Sequence, residues 1–331
     1  MKYAHLIALL VLMTSAATTA GGQGSPYATL PSPALSATAT AAAATSDNED
    51  QSVLTIRKRV DEVHLLFTAT DRHGRFVKNL SQGDFQILDD HKPPQSISEF
   101  RRETDLPLEL GLVVDVSGSI RSRFTFEQDS AIAFMQHTLR PHFDKAFVMG
   151  FNGRPQIAQD FTDNAAVLAQ GVHRLRAGGG TALYDAIYHA CRDKLLNKDD
   201  ANRPVRHAII VLSDGDDNQS EVSREAAIEM AQRAEVIIFA ISTDDSPSYQ
   251  RGDRVLQQLA DSTGGRAFFP LKVKDVARSF TSIEDELRSQ YVVSYKPAHF
   301  DADGRFRSIE LTSEKKDLSL RARRGYYAPR Q

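Results

Sequence analysis

At 331 residues the chain is long for one domain and comfortable for two, and with 41% apolar and 25% charged residues it can bury a core. The net charge is −3 with the signs interspersed, so no basic stripe marks nucleic acid as the main partner. The lone cysteine, Cys191, excludes an internal disulfide, so the fold must rest on apolar packing in any compartment.

The N-terminus carries Lys2, the apolar run AHLIALLVLM and the small residues TSAATTAGG, which together read as a secretory signal with cleavage expected near Ala20. The run is too short to span a bilayer, so no stable membrane insertion is expected after cleavage, and no cysteine stands near the site for a lipid anchor. A secreted or periplasmic location follows. Residues 21–50 are mostly Ala, Ser, Thr, Pro and Gly; such a segment buries too little to offset its ordering entropy and is expected to be a flexible linker.

From residue 51 to 105 the pattern turns to short alternating runs, VLTIRKRV, VHLLFTATD, FQILDD and SISEFRR, separated by the turn sequences DRHGR and DDHKPP. This predicts the first part of a small antiparallel β module. His64, His73 and His91 are scattered over its strands and turns, which is no spacing for a metal site.

Over 106–288 apolar runs that suit strands buried on both faces (LELGLVV, KAFVMGF, HAIIVL, EVIIFAIS) alternate with helical spacings: Ile132, Met135, Leu139; Leu168, Val172, Leu175; Val276, Phe280, Ile283, Leu287. The pattern predicts a doubly wound α/β domain with a mostly parallel sheet covered on both sides, Rossmann-like in architecture. Cys191 falls in the series Leu183, Ile187, Ala190, Cys191, Leu195, the inward face of a helix, where a thiol is a small hydrophobe. After it, over 289–331, the runs YVVSYKP, RFRSIELT and LSLRARRGYY return to strand periodicity, joined by turns at DADG and SEKKD, with a hairpin expected at DADG. Too few to be stable alone, they are expected to pair with the early strands, so the α/β domain is inserted in a split β module.

In open parallel sheets, ligands bind beyond the carboxyl ends of the strands. Asp115, in VVDVSGS, stands at such an end with Ser117 and Ser119 after it. Asp214, in IIVLSDGDD, ends another central run, and Thr181 follows three glycines in RAGGGTALYDAI. Two carboxylates and three hydroxyls are hard oxygen donors, the ligand set of a divalent cation, and so few carboxylates suit Mg2+ or Mn2+ better than Ca2+. Taken singly, each piece has a plainer reading: a helix cap at the serines, a cap at Thr181, a turn at Asp214-Gly215.

DVSGS, GGGT and LSDGDD resemble the metal-ion-dependent adhesion site of the von Willebrand factor type A domain, an Asp-x-Ser-x-Ser pattern with a distant Thr and a distant Asp. The flanks, DRHGRFVKNLSQGDFQILDDHKPPQSISEF and GYYAP, resemble secreted von Willebrand factor A-related proteins of acidobacteria. The first resemblance implies that Ser117 and Ser119 ligate the metal directly, that Asp115 and Asp214 act mainly through bound water, and that Thr181 does either. It also implies that an acidic side chain of a protein partner completes the shell, which makes the chain a non-enzymatic adhesion or assembly module.

The competing readings are weaker. A metal-assisted hydrolase would use a cation-bound water, but no His or Lys base stands near the three motifs. Asp216, Asn218 and Glu225 have EF-hand-like spacing, yet Gln219 occupies the place of the turn glycine. AGGGTA lacks the lysine of a phosphate loop, Ser117 lacks the flanking glycine of a hydrolase elbow, and RARRGYY alternates as a strand with a solvated face.

Overall fold

The computed structural model describes residues 62–102, 106–118, 124–196, 205–244 and 246–330, all within one structural unit, Lys58–Gln331. The expected signal, linker and first strand run VLTIRKRV lie outside the described residues, as does Ser119. Three strands come first: β1 (Val63–Asp71), β2 (Gln86–Asp89) and β3 (Ser96–Arg102).

The α/β region follows as β4 (Leu108–Asp115), α1 (Phe124–Thr138), β5 (Lys145–Phe151), β6 (Pro155–Thr162), α2 (Ala165–Arg174) and α3 (Leu183–His189), which runs on into a π-helical turn, Ala190–Leu195. It continues with β7 (Arg206–Ser213), α4 (Arg224–Arg233), β8 (Val236–Ser242), α5 (Arg251–Thr263), β9 (Ala267–Phe268) and α6 (Val273–Leu287). The sheet order is β6-β5-β4-β7-β8-β9, parallel except for the antiparallel β5–β6 pair.

Strand alternation divides the core. Leu108, Leu110, Leu112 and Val114 of β4 pack on one face with Phe134 and Met135 of α1, Leu168 and Val172 of α2, and Val276, Phe280 and Ile283 of α6. Val113 packs on the other, with Leu183 and Ile187 of α3, Cys191, Ala227 of α4 and Leu256 and Leu259 of α5. Gly111 shares that second face because a Cβ there would lie 2.6 Å from Cζ of Phe147.

The last four strands, β10 (Gln290–Lys296), β11 (Phe306–Thr312), β12 (Leu318–Ala322) and β13 (Gly325–Tyr327), complete the early ones. One antiparallel sheet runs β12-β1-β10-β3 and another β13-β11-β2. Among the described residues each of these sheets combines early and late strands, as strand count predicts. Phe67, Phe85, Tyr291 and Tyr295 fill the core between them, and the buried Asp89 carboxylate accepts from the Tyr295 hydroxyl at 2.8 Å and the Tyr326 hydroxyl at 3.1 Å.

Two expectations need correction. DADG is not a hairpin, because β10 and β11, which flank it, belong to different sheets; Gly304 turns there with φ of 72°. SEKKD is the turn its sequence predicts, and it too joins strands of different sheets. LSLRARRGYY is two strands, since the chain leaves one sheet at Arg323-Arg324 and enters the other as β13. The edge strand β6 was not expected from its sequence: PQIAQDFT has no buried residue and hence no apolar run.

Candidate metal centre

Asp115 is the last residue of β4 and is 0% exposed. The β4–β7 register sets Val114 beside Leu212, so Asp115 and Ser213 are the next residues on their strands, and the Ser213 hydroxyl donates to Oδ2 of Asp115 at 2.8 Å. The backbone N–H of Ser117 donates to Oδ1 at 2.8 Å, which turns the chain sharply after the strand and fixes the carboxylate at both oxygens. The Asp115 carboxyl is pushed up to about 6, first by burial, with the Asp214 charge adding to the rise and the Ser117 and Ser213 bonds opposing it. A carboxylate held in place but costly to ionise is a group that a bound cation would stabilise.

Asp214 follows β7 directly and is half-buried; its Oδ1 accepts the N–H of Asp216 at 3.1 Å, so the turn expected at Asp214-Gly215 is present as well. Gly215 has φ of 82° and touches α5, where a Cβ would lie 2.2 Å from the Gly252 carbonyl oxygen, so only glycine fits.

Thr181 is buried and precedes Ala182, the N-cap position of α3. It does not cap that helix: the N–H groups of Tyr184 and Asp185 are satisfied by the Asp217 carboxylate at 3.1 Å and the Ser220 hydroxyl at 3.0 Å. The simpler reading of Thr181 therefore fails. Its backbone is clamped instead, its N–H donating to Oδ1 of Asn218 and its carbonyl accepting from the N–H groups of Asn218 and Gln219, each at 3.0 Å.

Backbone bonds tie the three motif loops together. The N–H of Gly178 donates to the Val116 carbonyl at 2.6 Å and that of Gly118 to the Gly179 carbonyl at 3.2 Å, which joins the Asp115 loop to the Thr181 loop. Asn152, after β5, braces the same place: its side chain donates to the Gly178 carbonyl at 2.9 Å and its carbonyl accepts from Ala182 at 2.7 Å. Asp115, Ser117, Thr181 and Asp214 thus stand on loops at one end of the sheet.

Ser213, Asn152 and Asn218 are positioning residues that sequence reading missed, whereas Asp217, like Asp216, stood out in the sequence as an acid beside the site. Ser213 left a trace, a lone hydroxyl closing an otherwise apolar strand. The EF-hand reading fails on geometry, since Oδ1 of Asn218 is engaged by Thr181 and Glu225 pairs with Arg224 at 2.6 Å. Among the described residues no group of three or more His, Cys, Asp or Glu side chains could hold a metal, so a cation at this rim must draw on hydroxyls.

The family model that matches residues 109–286 is that of the von Willebrand factor type A domain. The chain belongs to this family. Its α/β region is therefore a von Willebrand factor A fold.

Solved structures with similar folds include a von Willebrand factor type A protein from Catenulispora acidiphila, at 12% identity and a TM-score of 0.47, covering 80% of this chain and 73% of that one. Proximal thread matrix protein 1 from the mussel byssus, in a structure whose MIDAS motif is occupied by zinc, matches at 16% identity and a TM-score of 0.47, over 61% of this chain and 50% of its own. The PilB minor pilin from Streptococcus sanguinis matches at 11% identity and a TM-score of 0.44, over 60% and 63%. The chain thus spans about half the length of the mussel protein. The curated proteins contain no match. Among the described residues of this von Willebrand factor A protein, no helix is long and apolar enough to cross a membrane.

Proposed function

We propose that the chain is a secreted or periplasmic, cation-dependent protein-binding module. In this reading Asp115, Ser117, Ser119, Thr181 and Asp214 hold Mg2+ or Mn2+, and the metal bridges to an acidic side chain of a protein partner. The observation that carries it is the buried Asp115 carboxylate, held at both oxygens beside Asp214 on loops bonded to that of Thr181. All five groups are oxygen donors, which suits a hard cation; the two carboxylates only balance its charge, and five donors leave a position of an octahedral shell open to a partner's carboxylate. When bound, the cation supplies a ligand position and charge; the chain supplies shape, by fixing Asp115 through Ser213 and the Thr181 backbone through Asn218. Family membership supports the reading, because these domains generally act by binding other proteins.

The test is capture of partners from the envelope and extracellular fractions of the source organism, with Mg2+ or with chelator. A specific partner retained with Mg2+, released by chelator, and weakened by Thr181→Ala and by Asp214→Ala is expected. Loss of one bond at a charged site costs about 1.5–3 kcal/mol, roughly tenfold or more in affinity. Metal-dependent turnover of an ester or phosphate that Asp115→Ala removes, with no partner captured, would replace this reading with the hydrolase.

A further inference from the structure

Tyr249 and Leu271, at 55% and 54% exposure, are the two most exposed large apolar residues among those described. They come from different loops, Tyr249 from the one after β8 and Leu271 from the one after β9, and these strands are parallel neighbours. Both therefore stand at the carboxyl-end rim that carries Asp115 and Asp214. The Tyr249 ring meets that of Phe269 edge-on, centroids 5.4 Å apart, which gives the surface a fixed aromatic element.

The surface is joined to the metal side by direct backbone contact. A Cβ on Gly252, in the first turn of α5, would lie 2.0 Å from the Asp214 carbonyl oxygen. The same turn exposes Arg251 and Arg254, one helical turn apart. Elsewhere the helical arginines Arg233, Arg278 and Arg288 pair with an acid three or four residues away. Among the described residues Arg251 and Arg254 form no ion pair. The acid between them, Asp253, is committed to the Ser242 hydroxyl and the Gln250 N–H, both at 2.9 Å. Cations in a first helical turn also face the unfavourable end of its dipole. Two exposed guanidinium groups with no ion pair among the described residues, beside exposed aromatic and aliphatic side chains, have the composition of an interface anchor, and their charge complements an acidic partner.

We propose that Tyr249, Phe269, Leu271, Arg251 and Arg254 receive an acidic protein segment that carries an apolar side chain next to the carboxylate it presents to the metal. This rests on the metal-bridging reading and adds the side chains that select the partner. An extended polyanion such as nucleic acid suits the site less, because the segment whose backbone touches Gly252 carries three acids in four residues, Asp214, Asp216 and Asp217.

The probes are fluorescent decapeptides containing two Asp and one Phe, counterparts with Asn for Asp or Ser for Phe, and single-stranded oligonucleotides, all titrated in millimolar Mg2+. Thermal shift with Mg2+ is read in parallel. The acidic aromatic peptide is expected to bind best. Tyr249→Ser with Leu271→Ser, and separately Arg251→Gln with Arg254→Gln, are expected to weaken it about five- to tenfold or more while leaving the Mg2+ thermal shift intact. Equal peptide binding by wild type and both pairs, no binding by any peptide, or preference for the oligonucleotide would overturn the proposal. A wild-type protein whose thermal stability ignores Mg2+ would instead overturn the metal reading on which it rests.

Discussion

Asp144 illustrates how much one carboxylate can organise at the foot of the central sheet. It is 2% exposed and accepts from the Leu108 N–H at 2.9 Å, the Arg140 N–H at 2.9 Å and two guanidinium N–H groups of Arg140 at 2.8 Å each. Burial works to raise its pKa, but the bonds from Arg140 and Leu108 outweigh burial and hold it below the usual carboxylate range. A lowered carboxyl stabilises the fold above its unfolded value and loses that contribution as pH falls through its folded value. Asp144→Asn should therefore cost about 1.5–3 kcal/mol near neutral pH, with the gap to wild type closing in acid, measured by denaturant unfolding across pH. The sequence gives no sign of this arrangement: Arg140 and Asp144 are joined across a turn, where spacing carries no signal. Asp115 was legible because a carboxylate closing a buried strand is costly to desolvate, and the carboxyl end of a parallel sheet is where a ligand can offset that cost.

At the scale of elements, apolar runs predict the buried strands and helices well, since burial on one or both faces is what the pattern records. They miss β6, which has no fully buried residue, and they run β12 and β13 together, because a change of sheet leaves the alternation intact. Two predictions belong here. Gly252→Ala should lower the melting temperature and weaken metal binding together, because its Cβ would strike the backbone that sets Asp214, and backbone has little room to yield. Cys191 is fully buried on the π-helical turn after α3, and burial pushes its thiol far up, so it should react with thiol reagents only on unfolding. Labelling of the native protein at the rate of an exposed thiol would contradict that placement.

At the scale of the molecule, the β strands and the α/β layer are braced by charged groups as well as apolar ones. Glu286, at the end of α6 and 1% exposed, pairs with Arg321 of β12 at 2.5 Å, and Arg321 also donates to the Gly265 carbonyl at 2.6 Å. Arg323 reaches Glu235 at 3.1 Å and the His64 carbonyl at 2.8 Å, while Arg206 of β7 donates to Oε1 of Gln290 in β10 at 3.3 Å. Strand count foretold the split module, but not these pairs, which join residues far apart in sequence. Burial raises the Glu286 pKa, with Arg321 opposing. Arg321→Ala leaves that carboxylate buried without its cation and should cost about 3–5 kcal/mol at neutral pH. The loss should shrink as pH falls, because a carboxyl with a raised folded value binds protons more readily when native. Arg321→Met combined with Glu286→Gln should recover most of it, by denaturant unfolding; a double variant as weak as Arg321→Ala would contradict the pairing.

The cation itself is tested most directly by the melting temperature of the full chain with Mg2+, Mn2+ or chelator, in wild type, Asp115→Ala and Asp71→Ala. Asp71 serves as the control because it caps the 71–75 turn by accepting from the N–H groups of His73 and Arg75, in the β module away from the motif loops. Because a ligand that binds only the native state stabilises it by mass action, both metals should raise the melting temperature of wild type and Asp71→Ala and leave Asp115→Ala unmoved. An equal rise in wild type and Asp115→Ala, or none in wild type, would contradict a metal centre at Asp115.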